Sequence, residues 1–142
     1  MEVNIGVPQG STLGLLLFII FINYLFLFIV KSNICNFADD NSLYSCEQTL
    51  ETVISNLKFD LLTVLDWFSL NLLAANPEKF QMLILGNKDT PKIEINLGHL
   101  KIKSTDSVEL LGITIDSNLS FSDHIKSLCA KTKFRVYSLN RI

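Results

Sequence analysis

The sequence predicts an α+β fold, in which helices and short strands follow one another without the regular alternation of a parallel α/β sheet. Three observations lead to this prediction. Residues 47–73 carry apolar side chains at spacings of three and four, the period of an amphipathic helix. Residues 33–46 and 92–103 each contain two short strand-like segments about a turn, which is typical of hairpins. Residues 121–142 return to a helical spacing.

Composition bounds the class of protein. The chain has 142 residues, of which 49% are hydrophobic, so it is long and apolar enough to bury the core of one domain. Three cysteines without a CxxC pair argue against a disulfide scaffold or a zinc ribbon and favour a reducing compartment. Charge is uneven: residues 1–75 hold seven acids and two bases, whereas residues 76–142 hold seven acids and ten bases.

The longest apolar run extends from Leu13 to Val30 and follows turn-forming residues at 6–12. As one helix it would span about 27 Å, nearly the hydrocarbon thickness of a bilayer. Two interpretations follow, a buried helix of a core or a single membrane span. The preceding segment has no Lys or Arg, which argues against a signal peptide.

Asp39 and Asp40 are the sharpest local feature of the sequence. We expect them at the tip of a hairpin between strands 33–38 and 41–46. Neighbouring carboxylates repel one another unless a cation neutralises them, and hard oxygen ligands suit Mg²⁺. Taken alone, an Asp-Asp pair is a weak signal for a metal site and is more typical of a solvated turn. The expected register pairs Phe37 with Ser42 and Cys35 with Tyr44.

The remaining elements are read from the same patterns. The helix over 47–73 ends near Asn71, and Asn76-Pro77 follows it. Gly98 joins the hairpin segments 92–96 and 101–103. The other predicted elements are a strand over 80–85, a strand over 108–116 interrupted by Gly112, and a helix over 121–142 capped by Ser120 or Ser122.

Five sequence blocks together resemble the reverse transcriptases of non-LTR (LINE-type, jockey-like) retrotransposons. The blocks occur in the family's order and spacing over residues 6–142. They are GVPQGSTLG (6–14), an apolar stretch ending FINYL (21–25), CNFADDNSLYS (35–45), WFSLNLLAANPEKF (67–80) and ELLGITIDSNLSFSDHI (109–125). The resemblance implies a partial palm over residues 1–120 and the start of a thumb-like helix over residues 121–142.

The resemblance also implies roles for individual residues. Asp39 and Asp40 would be catalytic and would bind Mg²⁺, with Asp39 as the main ligand. Lys79 would protonate departing pyrophosphate, and Leu111 and Gly112 would support the primer end. The nucleotide and template pocket would include Pro8, Gln9, Gly10, Ser11 and Phe37.

The implied partners are an RNA template, a DNA primer and deoxynucleotides. The implied location is intracellular, in the nucleus or cytoplasm, with a membrane as the alternative. A base-rich, acid-free tail suggests a weak nucleic-acid contact, or else a solvated helix face. Its basic residues are Lys126, Lys131, Lys133, Arg135 and Arg141.

Departures from the family pattern limit the expected activity. The family's further metal-binding Asp precedes the GVPQGS block and is not found here, so we expect no activity from this chain alone. Leu15 replaces the family's Pro and Tyr24 its Asp, which makes the 13–30 run unusually apolar. We favour a buried palm helix over a membrane span for this run. We also expect self-association through uncovered apolar surface, and a third interpretation is a non-catalytic interaction remnant of an element.

Overall fold

A computed structural model describes residues 12–86, 91–98 and 100–139, and within them the fold is a mixture of helices and small sheets, as predicted. The chain divides into two compact units, Met1–Ala75 and Asn76–Ile142. The first unit contains α1 (Thr12–Asn23), a 3₁₀ helix (Tyr24–Phe28), β1 (Asn33–Phe37), β2 (Asp40–Tyr44) and α2 (Leu50–Leu70). The second contains a 3₁₀ turn (Pro77–Lys79), β3 (Met82–Leu83), β4 (Glu94–Leu97), β5 (Leu100–Thr105), β6 (Ser107–Leu110), β7 (Ile113–Asp116) and α3 (Ser122–Leu139).

The prediction of one helix from Leu13 to Val30 is wrong. The α-helix ends at Asn23, a 3₁₀ helix follows, and the backbone is extended at Ile29. The backbone N–H groups of the next residues donate to a carboxylate on α2 instead of to helical carbonyls, which fixes the end of the helical segment. In the described parts of the chain, no helix combines the length and apolar character that crossing a bilayer requires.

The core of the first unit forms where the 3₁₀ helix meets α2. Ile22 and Leu25 are spaced three residues apart and both are buried, together with Val64 and Trp67 of α2. Most of α1 remains outside this core, because Leu16 is 53% exposed and Ile20 is 60% exposed. The expectation of a buried palm helix therefore does not describe α1 in this structure.

Helix α2 confirms the predicted amphipathic helix with tighter bounds. Thr49 caps its start, since its side chain accepts a hydrogen bond from the Thr52 N–H. At the other end, the Asn71 side-chain amide donates to the Trp67 carbonyl over 2.8 Å. Both ends thus satisfy backbone groups that a helix terminus leaves unpaired.

In the described residues of the second unit, two small sheets and a helix follow the 3₁₀ turn. The sheet in the order β3-β5-β4 contains the predicted hairpin, in which Leu97 pairs with Leu100 and Gly98 takes a φ of +60°. Buried residues of this sheet are Ile95, Leu100 and Ile102. The strand predicted over 80–85 shrinks to the two residues of β3, and the single strand predicted over 108–116 is instead the hairpin β6–β7.

Candidate active site

The predicted Asp-Asp hairpin is present, but its register differs from the expected one. Phe37 pairs with Asp40 and Cys35 pairs with Ser42, so the turn consists of Ala38 and Asp39. Ala38 has a φ of +55°, the sign that the first central residue of a type II′ hairpin turn requires. Asp39 therefore occupies the turn, and Asp40 is the first residue of β2.

The hairpin has one face against the core and one face in solvent. Ile34 and Leu43 lie directly opposite each other and pack against the core of the first unit. This apolar match explains the observed register, because the expected one would have placed Ile34 opposite Ser45. On the other face Phe37 is 64% exposed next to the exposed Asp40.

Two asparagines stiffen the hairpin tip. The Asn36 amide donates to the Asn41 side-chain oxygen over 2.6 Å across the two strands. The Asn41 amide also donates to the Asp39 carbonyl over 3.2 Å. The backbone that carries both candidate metal ligands is thus held by side chains as well as by the strand ladder.

A buried carboxylate that the sequence analysis did not single out holds the base of this hairpin. Asp60 of α2 is fully buried and accepts hydrogen bonds from the backbone N–H groups of Val30, Lys31 and Ser32 and from the Ser32 hydroxyl. Burial by itself raises the pKa of Asp60, but the hydrogen bonds from Ser32, Val30 and Lys31 outweigh it and lower that pKa below its ordinary value. Asp60 is therefore an anion in the folded protein at neutral pH.

The two candidate metal ligands are carboxylates, which suit Mg²⁺, but two ligands are few for a metal site. Asp39 and Asp40 are exposed carboxylates, and Mg²⁺ is often held by one or two carboxylates that leave room for water and phosphate oxygens. Across residues 12–86, 91–98 and 100–139 no group of three or more potential metal-binding side chains occurs. The pair thus fits part of a metal site.

Lys79 lies in the second unit, at the end of the 3₁₀ turn Pro77–Lys79. The Asn76 side chain accepts from the Glu78 N–H over 3.0 Å and caps this turn, while Pro77 supplies a fixed φ at its first position. Lys79 is exposed, so its ammonium group is open to solvent. The sequence analysis used the Asn-Pro pair only to mark the end of the preceding helix and did not predict this turn.

Leu111 and Gly112 form the two-residue turn of the β6–β7 hairpin. Both have positive φ values, 51° and 79°, the pattern of a type I′ turn. Gln81 braces this hairpin, since its side-chain oxygen accepts from the Glu109 N–H over 3.0 Å and its amide donates to the Glu109 carbonyl over 3.4 Å. No pattern in the sequence indicates the role of Gln81, because its partner is the backbone of Glu109, which lies 28 residues away.

The carboxylate of Asp116 holds the segment that leads into α3 through hydrogen bonds. It accepts from the backbone N–H groups of Asn118, Ser120 and Phe121 and from the Ser120 hydroxyl. The hydrogen bond from the Ser120 N–H contributes most to lowering the pKa of Asp116, burial opposes it, and the other bonds add to the lowering. His124, in the first turn of the helix, accepts from the Thr114 N–H over 3.3 Å.

The basic residues of α3 are exposed but do not form one stripe. Lys126 and Lys133 are seven residues apart and share one side of the helix, whereas Lys131 and Arg135 are four apart and share another. Lys126 also forms an ion pair with Asp123 at 2.9 Å.

Other predicted site residues lie outside the described residues: Pro8, Gln9, Gly10, Ser11 and Arg141.

Mixed helices and sheets with adjacent carboxylates on an exposed hairpin are consistent with a partial polymerase palm. Residues 2–115 match the family described as reverse transcriptase (RNA-dependent DNA polymerase), and the chain belongs to that family. A Drosophila melanogaster protein named "Probable RNA-directed DNA polymerase from transposon BS" is 28% identical over 146 residues, which cover 94% of this chain and 16% of that protein. No solved structure matches this chain.

Proposed function

We propose that this chain is the part of a non-LTR, jockey-like retrotransposon reverse transcriptase that carries the metal-binding hairpin of the palm. The observation that carries the proposal is the exposed β1–β2 hairpin with Asp39 in its turn and Asp40 beside it, in a chain of the reverse transcriptase family. The order of the five sequence blocks supports the subtype. Residues 1–120 are the palm part, and residues 121–142 begin the thumb.

Asp39 and Asp40 would hold Mg²⁺ through their carboxylate oxygens. A bound divalent cation neutralises phosphate charge and polarises phosphate oxygens during nucleotidyl transfer. The chain's own contribution is a platform that does not reorganise, and the Asn36–Asn41 hydrogen bond and the buried Asp60 serve this purpose.

Other residues have supporting roles in the proposed reaction. Lys79 would carry the proton that the leaving pyrophosphate takes. Leu111 and Gly112 would support the primer end from the tip of their hairpin. The pocket for the deoxynucleotide and the RNA template would include Pro8, Gln9, Gly10, Ser11 and Phe37.

Tested by itself, the 142-residue chain is expected to be inactive. The described residues offer two neighbouring carboxylates, whereas a two-metal reaction needs ligands that clamp both the attacking and the leaving oxygen. In a primer-extension assay with Mg²⁺, incorporation should equal that of the Asp39→Ala variant. Incorporation that disappears in Asp39→Ala would contradict the proposed incompleteness.

A second candidate function is a weak, sequence-independent contact with nucleic acid through α3. The supporting observation is that its four described bases are all exposed. Such binding rests on counterion release, so log K should fall with log salt at a slope no steeper than about −4 for four phosphate contacts. Replacing Lys131 and Arg135 by Gln, or Lys126 and Lys133 by Gln, should each reduce the slope by about half, and Asp39→Asn should not reduce it. Binding that is insensitive to salt contradicts this function.

We also propose self-association through α1. Its exposed apolar side chains include Leu13, Leu15, Leu16, Leu17 and Ile20. Large exposed apolar patches on a soluble domain favour association. Leu16 and Ile20 share one helix face, so the double variant Leu16→Glu/Ile20→Glu should shift sedimentation towards the monomer, and Leu70→Glu, also at an exposed site, should shift it less.

A further inference from the structure

A cavity in the first unit is lined by residues to which the proposed polymerase function assigns no role. It has a volume of about 320 Å³ and lies between the 3₁₀ helix and the C-terminal half of α2. Three aromatic side chains line it: Tyr24, Phe28 and Trp67. Tyr24 and Phe28 meet edge to face with their centroids 5.5 Å apart, and Trp67 is buried behind them.

The polar atoms left open in the cavity are mainly hydrogen-bond acceptors. The Thr63 hydroxyl donates to the Phe59 carbonyl and the Asn71 amide donates to the Trp67 carbonyl, so their oxygen lone pairs remain for a ligand. Asp66 lines the same cavity, and among the described residues it has no hydrogen-bond or ion-pair partner. The lining of the cavity thus combines a carboxylate and two oxygen acceptors with aromatic rings.

Aromatic rings, a carboxylate and oxygen acceptors together favour the binding of a cation that carries several N–H donors. Aromatic faces attract cations through their quadrupole, most strongly when the cation is the planar and weakly hydrated guanidinium group. Residues 1–75 hold seven acids against two bases, so the long-range field of this part of the chain also attracts positive charge. The cavity is large enough for one arginine side chain and within the volume range of ligand sites.

We propose that the cavity lined by Tyr24, Phe28, Asp66 and Trp67 is a binding site for an arginine side chain presented by another polypeptide. The guanidinium lies against the aromatic rings and donates to the Asp66 carboxylate. The site uses neither Asp39 nor Asp40, so it is independent of the proposed metal-binding role.

The chain contains its own reporter for this site, because Trp67 is the only tryptophan. The fluorescence of the full 142-residue chain at micromolar concentration should change saturably with N-acetyl-arginine methylamide. A ligand of this size with one ion pair is expected to have a Kd of about 1 mM. The citrulline analogue, which has the same shape without the charge, should bind at least roughly threefold more weakly.

Matched variants distinguish a site that binds a cation from a pocket that binds any apolar group. Asp66→Asn should weaken binding of the arginine probe by roughly twofold to fivefold, and Tyr24→Leu by a similar factor. Glu51→Gln, which removes an exposed acid at the start of α2, should leave the affinity unchanged. Equal binding of the arginine and citrulline probes, full affinity in Asp66→Asn, or the absence of any saturable change would overturn the proposal. Tighter binding of uncharged adenosine would instead indicate a stacking slot and also overturn it.

Discussion

In each unit an aspartate accepts hydrogen bonds from several backbone N–H groups of a connecting segment, but the two carboxylates lie in different environments. Asp60 is fully buried and holds residues 30–32, which lead into the β1–β2 hairpin. Asp116 is half-buried and holds residues 118–121, which lead into the basic helix. Loss of these hydrogen bonds is therefore expected to cost more at Asp60 than at Asp116, because water reaches the more exposed Asp116 more easily and can replace lost partners there.

The largest expected effect comes from removing the buried carboxylate. Asp60→Ala removes the acceptor of three backbone N–H groups and of the Ser32 hydroxyl in a partly buried site, at a cost of about 3 kcal/mol in the free energy of unfolding. Denaturant unfolding followed by Trp67 fluorescence measures this directly. The control is Asp66→Asn on the same helix, which is exposed and should change stability by less than about 0.5 kcal/mol. A cost for Asp60→Ala as small as that of the control would break the comparison.

A change of pH sharpens the same comparison. The pKa of Asp60 is lower in the folded protein than the ordinary carboxyl value of 3.8, so its contribution to stability is fully present above that value. The contribution is lost as the pH falls through the folded pKa, which lies below 3.8. The acid unfolding curve of Asp60→Asn should therefore be flatter than that of the parent chain below pH 3.8. Parallel curves for the parent chain and the variant contradict this assignment.

A smaller, local effect is expected at Asp116. Its carboxylate also has a lowered pKa, and Asp116→Asn removes the charge while keeping one oxygen acceptor. We expect faster hydrogen exchange at the Ser120 and Phe121 amides and little change in the unfolding of the first unit, as measured by NMR and by Trp67 fluorescence. An equally large loss of global stability in Asp116→Asn and Asp60→Asn would show that exposure does not separate the two sites.

The sequence predicted those features that depend on local patterns. The apolar period predicted α2, the Asn-Pro pair marked the end of that helical segment, and the alternating residues about Gly98 predicted β4 and β5. The turn predicted at Asp39-Asp40 was wrong and the turn between β6 and β7 was not predicted; both turns place a non-glycine residue at positive φ, Ala38 in the first and Leu111 in the second. Neither residue type signals such a conformation, since only the pairing of the flanking strands makes the strain acceptable.

The positioning residues could not be found from sequence for a different reason. Asp60 and Gln81 act on backbone groups about 30 and 28 residues away, and backbone N–H and C=O groups are the same at every non-proline position. The end of the helical segment at Phe28 has the same origin, since Asp60 accepts from the N–H groups of Val30 and Lys31, which a longer helix would have used. The hairpin that carries Asp39 and Asp40 was predictable because the segment is short and locally paired, but its register was not, and Asp40 lies in β2 instead of in the turn.

The most direct test of the central claim is divalent-metal binding at the hairpin. Mn²⁺, a paramagnetic substitute for Mg²⁺, should broaden the amide signals of residues 37–41 first during a titration followed by NMR. Asp39→Asn and Asp40→Asn should each weaken this effect, Asp60→Asn should weaken it by displacing the hairpin base, and Asp66→Asn should preserve it. Broadening that starts elsewhere, or that is unchanged when both Asp39 and Asp40 are replaced by Asn, would contradict a metal-binding role for this hairpin.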